Sequence, residues 1–288
     1  MLQTTPLALS FDIEDWFTVR NMRELIREDQ WDQLDYRVHI GVDYLLEQCE
    51  KHKIKATFFI LGWIAERSPD LIKKIHHQGH EIASHGYSHT PIDLLTPESF
   101  EEDLQKSLEI LERITGEKIL GYRAPSFSIT KKTSWAIDIL KKYGLKYDSS
   151  VFITQHPDYG ISDFPKEITE LGEDFVEIPM QKSSVYGVQL PVCGGGYFRM
   201  FPYHFIKKGL ISSQKKGPTV LYFHPWEFDP KHPRMPLSAL KKFRHYIGLN
   251  GNRKKFERLL SDFKFCPMKD LISGTSLSGP SNRPKYSL

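Results

Sequence analysis

His85 and His89 stand four residues apart in Gly79-His80-Glu81-Ile82-Ala83-Ser84-His85-Gly86-Tyr87-Ser88-His89, at the end of a short apolar run. That spacing lets two imidazoles reach one metal ion from a single helical turn or a tight loop, and neutral imidazole nitrogen suits zinc and other first-row divalent metals. Asp12, Glu14 and Asp15 place three carboxylates within four residues. They repel one another unless something positive sits among them, and a bound cation is the economical answer. Two more polar clusters, Arg123-Ala124-Pro125-Ser126-Phe127 and His224-Pro225-Trp226-Glu227, each follow a run that reads as a strand. In a chain with 12 histidines, a pair four apart is by itself more often a solvated loop, so the weight falls on the company it keeps.

The elements that must position these residues alternate along the chain. Leu7–Phe11, Ala56–Leu61, Glu81–Ser84, Ile119–Tyr122, Phe175–Met180 and Val220–Phe223 are short apolar runs that predict buried strands. Between them, Arg37–Lys51 carries apolar residues at helical spacing. Ser68-Pro69-Asp70 opens a helix that Gly79 closes, Thr96-Pro97-Glu98 opens one ending at Gly116, and Thr130 caps one running to Gly144. Pro236–Gly248 and Lys254–Phe263 read as closing helices. Repeated strand, loop and helix predict an α/β fold with a parallel sheet or barrel, in which ligands bind at the carboxyl ends of the strands. Residues 1–272 are expected to form one domain, with an irregular, loop-rich segment over 151–200. Gly194-Gly195-Gly196 is not followed by Gly-Lys-Ser/Thr and carries no helix signal, so it is not a phosphate loop. Residues 273–288 are too polar to bury and are expected to be disordered.

Composition narrows the function classes. A net charge of +3, with basic residues spread among acidic ones, does not resemble a nucleic-acid footprint. Three widely spaced cysteines argue against a disulfide framework and for a reducing compartment. Neither a secretory signal nor an apolar run of the ~18 residues that span a bilayer is read, so a cytoplasmic location is expected.

Taken in order over residues 7–230, these clusters resemble the motifs of the polysaccharide deacetylase family, the NodB-homology carbohydrate esterases. Ser10-Phe11-Asp12-Ile13-Glu14-Asp15 resembles the first motif and Ser84-His85-Gly86-Tyr87-Ser88-His89 the second. Arg123-Ala124-Pro125-Ser126 resembles the third, Tyr147-Asp148-Ser149-Ser150 the fourth, and Leu221-Tyr222-Phe223-His224 the fifth, with one additional residue. Asp-Ile-Glu-Asp-Trp, Gly-Gly-Gly-Tyr-Phe-Arg and Phe-His-Pro-Trp-Glu-Phe-Asp-Pro bring the chain closest to the branch associated with bacterial exopolysaccharide clusters. The resemblance implies a distorted (β/α) barrel of the NodB-homology type with parallel strands, and a divalent metal, usually Zn2+. It implies His85, His89 and one carboxylate as ligands, Asp12 as base and His224 as general acid. Here Asp12 is followed by Ile13 where the family commonly has a second aspartate, so the ligand carboxylate is Glu14 or Asp15. Strand alternation puts Glu14 on the side of Asp12, whereas the shorter, stiffer Asp15 is slightly preferred. Ser126 stands where the family has tyrosine.

Hydrolysing an acetamide needs a polarised carbonyl, an activated water, a stabilised oxyanion and a proton for the departing amine. Arg123 is expected to orient Asp12 through a bidentate contact. Its alternative is a structural ion pair. Glu227 or Asp148 is expected to hold His224 in its protonated form, and the alternative for Asp148 is a helix or turn cap. Trp226 and Tyr197 are equally suited to stacking on a sugar ring or to filling the core. The function expected is therefore removal of an acetyl group from an N-acetylated glycan or its precursor, in exopolysaccharide or cell-envelope glycan synthesis. A non-sugar amide or cyclic-imide hydrolase on the same barrel, and a catalytically inactive carbohydrate-binding barrel, are the alternatives.

Overall fold

The computed structural model describes residues 6–156, 159–172, 174–215, 217–273, 283–286 and 288. Its elements begin with β1 (Leu7–Ile13), α1 (Val38–Lys51), β2 (Thr57–Ile60), α2 (Gly62–Arg67), α3 (Pro69–His77) and β3 (Glu81–Ser84). They continue with α4 (Pro97–Thr115), β4 (Gly121–Tyr122), α5 (Trp135–Lys142), β5 (Tyr147–Asp148), β6 (Phe152–Ile153), β7 (Thr169–Glu170), β8 (Val176–Glu177) and β9 (Met180–Gln181). After the hairpin β10 (Ser183–Val185) and β11 (Val188–Leu190) come α6 (Gly195–Met200), α7 (Tyr203–Gln214), β12 (Val220–Phe223), α8 (Ala239–Tyr246), α9 (Leu249–Asp262), β13 (Phe265–Cys266) and α10 (Lys269–Ile272).

One curled, mostly parallel sheet runs in the order β12-β1-β2-β3-β4-β5-β8-β7, with β13 also on β1 and only β7 antiparallel to its neighbour. This is the α/β fold with a parallel sheet expected of the strand and helix alternation, and the sheet closes only into a half-barrel. β1 is buried along all seven residues, as a central parallel strand covered on both faces must be. Its register aligns Phe11 with Phe58 and Phe223, and Asp12 with Phe59. Phe256 of α9 packs against Phe11, Phe223 and Phe228, which seals one side of that strand. The carboxyl ends of β1, β3, β4 and β12 thus hold Asp12, His85, Arg123 and His224 at one rim.

Local chemistry sets the helix boundaries. Thr96 Oγ1 accepts from Ser99 N at 3.2 Å to open α4, and Gly116 closes it in the left-handed region at φ 72°. The helix expected from Thr130 begins later, at Trp135, because Thr130 N donates to Thr133 Oγ1 at 2.9 Å and the preceding residues form turns. The strand expected over Phe175–Met180 divides: β8 joins the main sheet, whereas β9 pairs with β6.

Gly194-Gly195-Gly196 opens α6, contrary to the reading that no helix starts there. A Cβ on Gly194, whose φ is 147°, would stand 1.8 Å from the Tyr222 carbonyl oxygen, and the two residues form a parallel bridge. Glycine is needed at that point so that the backbone can lie against β12. Of the stretch 273–288 expected to be disordered, residues 274–282 and 287 lie outside the described residues. Glu170 N donates to Pro284 O at 2.8 Å and Lys285 bridges to Glu170, so this part docks on the edge at β7. Among the described residues, no helix is long and apolar enough to cross a membrane.

Candidate active site

Arg123 is fully buried, and its guanidinium is divided among several acceptors. Nη1 donates to Asp12 Oδ1 at 2.6 Å and Ser10 Oγ at 2.8 Å, while Nε donates to Ser149 O at 3.1 Å. The contact with Asp12 is therefore single, not bidentate, because the second arm faces Ser149 Oγ and Met268 Sδ. One oxygen of Asp12 is held, and Oδ2 is left facing His224 Nε2 at 3.9 Å.

Glu14 Oε1 gathers the two histidines, at 3.1 Å from His85 Nε2 and 2.9 Å from His89 Nε2. His85 Nδ1 lies 2.7 Å from the Arg123 carbonyl oxygen, which can only accept. The proton of a neutral His85 thus sits on Nδ1, and Nε2 points a lone pair at a carboxylate. Lone pairs meeting at such a distance need a positive charge between them. Donor atoms ~2.1 Å from a zinc-sized ion lie roughly 3.0–3.4 Å from each other, close to the spacing seen here. The residues present fit a divalent metal. Burial works against the Glu14 charge, yet the neighbouring His89 and His224 hold its carboxyl well below the usual range.

Asp15, the slightly preferred ligand, is turned to other work. Its Oδ1 accepts from Trp16 N at 2.7 Å, and Oδ2 accepts from Arg37 N at 2.6 Å and Val38 N at 2.9 Å. Asp15 therefore satisfies the free N–H groups that begin α1. Burial pushes its carboxyl up to about 6 against those bonds.

His224 stands beside both acids, with Nε2 3.8 Å from Glu14 Oε1. Its Nδ1 lies 2.6 Å from Glu227 Oε1, and Glu227 Oε2 in turn accepts from Arg199 Nε at 2.8 Å. Burial disfavours the charged ring, but Glu14, Glu227 and Asp12 outweigh it and raise His224 to about 9. Trp226 stacks on one side of His224 and His245 stacks on Trp226, with ring planes 22° and 11° apart. Arg199 and the site-lining His245 were missed by reasoning from sequence. Both come from segments distant along the chain; Arg199 ends the Gly-Gly-Gly-Tyr-Phe-Arg segment, which gave it no role, and His245 carries no motif.

A cleft of about 190 Å3 is lined by Asp12, Glu14, His89, Ser126, His224, Trp226 and His245 among others. Ser126 and Phe127 at its wall have φ of 58° and 55°, a left-handed pair without glycine. Tyr197 lies outside this lining, exposed on α6 and stacked on Phe201. Asp148 does not reach His224. It is fully buried on β5 in register with Glu177 of β8, bonded by Ser150, and Asp148 Oδ2 and Glu177 Oε2 lack any other partner. A larger cavity, lined by Trp135, Lys146, Val176 and Lys269, borders the amino ends of β5 and β8 and shares no residue with the cleft. Its walls hold no group like the carboxylate with two histidines.

A carboxylate with two histidines, a clamped aspartate and a third histidine thus meet at the mouth of an α/β half-barrel. Residues 34–148 match the family model described as "Polysaccharide deacetylase", and residues 149–273 match one described as "Domain of unknown function (DUF3473)". A peptidoglycan deacetylase of Helicobacter pylori is 35% identical over 112 residues, 39% of this chain and 37% of that protein. A peptidoglycan-N-acetylglucosamine deacetylase of Bacillus cereus is 34% identical over 95 residues, 33% of this chain and 34% of that protein. The matches span little more than a third of the length of these curated relatives. Among solved structures, that of a provisionally assigned polysaccharide deacetylase from Mycobacterium smegmatis has the same fold, with a TM-score of 0.62 and 21% identity over 97% of this chain and 95% of that one.

Proposed function

We propose that this protein is a divalent-metal-dependent hydrolase, with zinc as the metal, that removes N-acetyl groups from an N-acetylated glycan or its precursor. The observation that carries the reading is the meeting of Glu14 Oε1 with His85 Nε2 and His89 Nε2, flanked by Asp12 and His224. When bound there, the ion polarises the acyl oxygen and acidifies water. Asp12, fixed by Arg123, accepts the proton of the attacking water as its oxygen bonds to the acyl carbon. His224, charged and held by Glu227, gives its proton to the sugar nitrogen as the carbon–nitrogen bond breaks. Acetate and a free amino sugar leave.

A place in exopolysaccharide or cell-envelope glycan synthesis is part of the same proposal. It is supported by the wording of the Asp-Ile-Glu-Asp-Trp and His-Pro-Trp-Glu segments. Cys49, Cys193 and Cys266 are all free, which suits a reducing, cytoplasmic setting.

The deciding experiment measures metal content and acetate release from a panel of N-acetylated sugars, for the parent and for Asp12→Asn and His224→Gln. Asp12→Asn should keep the metal and lose roughly 10²-fold or more in kcat. His224→Gln should lose much less on an activated ester, whose leaving group needs no proton, than on an acetamide. Equal losses on both substrates would remove His224 from the acid role, and metal-free, fully active protein would sink the whole reading.

A further inference from the structure

Residues 230–256 contain eight lysines and arginines and no acid, while the rest of the chain has 31 basic residues against 36 acidic ones. Within that stretch, α8 is turned outward in an unusual sense. His245, on its inner side, is buried against Trp226 at the wall of the cleft. Its opposite side presents Leu240 and Phe243, 59% and 52% exposed, between exposed Lys242 and Arg244. A surface helix ordinarily buries such residues in the core. More apolar surface adjoins it. Arg199 Nη2 donates to Arg244 O at 3.4 Å and so ties α6 to α8, bringing exposed Tyr197 and Met200 alongside. Lys241 Nζ bonds Glu24, which places exposed Leu25 on the far flank.

We propose that this face of α8, with its neighbours on α6 and at Leu25, docks on a bilayer containing anionic lipid. Leu240 and Phe243 would enter the boundary between headgroups and acyl chains, and Lys242 and Arg244 would meet lipid phosphates. Among possible partners, a bilayer combines both kinds of contact in one plane, which a soluble acidic polymer does not. Because His245 lies on the inner side of the same helix, docking holds the cleft at headgroup level. If the deacetylation reading holds, an acetamido sugar on a lipid carrier is then within reach.

Co-sedimentation of the full chain with phosphatidylcholine vesicles, with and without about one third phosphatidylglycerol, tests this. Binding should require the anionic lipid and weaken with added salt. Each cation at such a surface contributes roughly fivefold in partitioning, so Lys242→Glu with Arg244→Glu should bind about 25-fold less or weaker still. Leu240→Asp with Phe243→Asp should also lose binding. Thermal melts and acetate release from a soluble chitooligosaccharide should be unchanged in both. No sedimentation with anionic vesicles, or undiminished binding by both double variants, overturns the proposal. Binding to soluble polygalacturonate without binding to vesicles overturns it too, and assigns the face to an acidic glycan. Vesicle binding by a protein that releases no acetate would remove the deacetylation reading and leave this one standing.

Discussion

Glu227 Oε1 lies 2.6 Å from His224 Nδ1 and also accepts from His224 N at 3.1 Å, so one carboxylate fixes both the ring and the backbone of the proposed acid. A cation held by Glu14 would cancel that residue's pull on His224, but the pull of Glu227 would persist. Glu227→Gln keeps an acceptor for Nδ1 and removes the charge. The protonated ring should then be lost at lower pH, because the charge that still raises it is gone. The alkaline limb of kcat should shift down with it. An unmoved limb in the pH–rate profile would show that another group sets it.

Glu14 and Asp15 should separate metal binding from stability. Glu14→Gln removes the carboxylate that meets both histidines and should strip the metal, as read by elemental analysis. Asp15→Asn should keep the metal and lower stability by about 1–3 kcal/mol in urea unfolding, because one of its three N–H partners would face an amide donor. Loss of metal from Asp15→Asn would reverse the assignment.

The buried pair Asp148 and Glu177 should make stability depend on pH. Burial and the neighbouring acid push Glu177 well above its ordinary 4.5, and burial pushes Asp148 up, so the folded state keeps a proton that the unfolded chain releases. Stability from this pair is full below the ordinary carboxylate range and is lost as pH rises from about 4 towards the folded-state values, about 6 for Asp148 and higher for Glu177. Glu177→Gln should flatten that fall, since the amide can donate to Asp148 without titrating. Parallel urea curves for parent and variant across this window would disprove the shared proton.

Gly194→Ala should destabilise the protein by about 2–4 kcal/mol, because the new methyl has no room beside the Tyr222 carbonyl and φ is 147°. Thermal melting reads this directly. An unchanged melting temperature would mean that α6 does not lie on β12 as described.

Much of this was legible in residue order, because strand ends and polar clusters coincide from Asp12 to His224. The choice between Glu14 and Asp15 was not. Alternation along an extended strand favoured Glu14, which lies against both histidines, whereas Asp15 accepts from the N–H groups of Arg37 and Val38, more than twenty positions away. Chain spacing also could not tell which acid serves His224. Asp148 resembles a family motif but lies across from Glu177, whereas Glu227 is three residues from the ring it holds. The triple glycine was misread because its requirement comes from the approach of β12, a packing demand with no local signal.

The strand order also sets a calendar for assembly during synthesis. β1 can pair with β2 as soon as residue 60 is made, but its other neighbours are β12 at residues 220–223 and β13 at 265–266. Glu14, His85 and His89 all belong to the first third of the chain, whereas His224 and Glu227 follow far behind. A chain still on the ribosome can therefore gather its carboxylate and two imidazoles while one edge of the acid-bearing strand stays unpaired and open to wrong partners. The proposed proton donor arrives with β12, the strand that covers most of this edge, and β13 closes the rest later still.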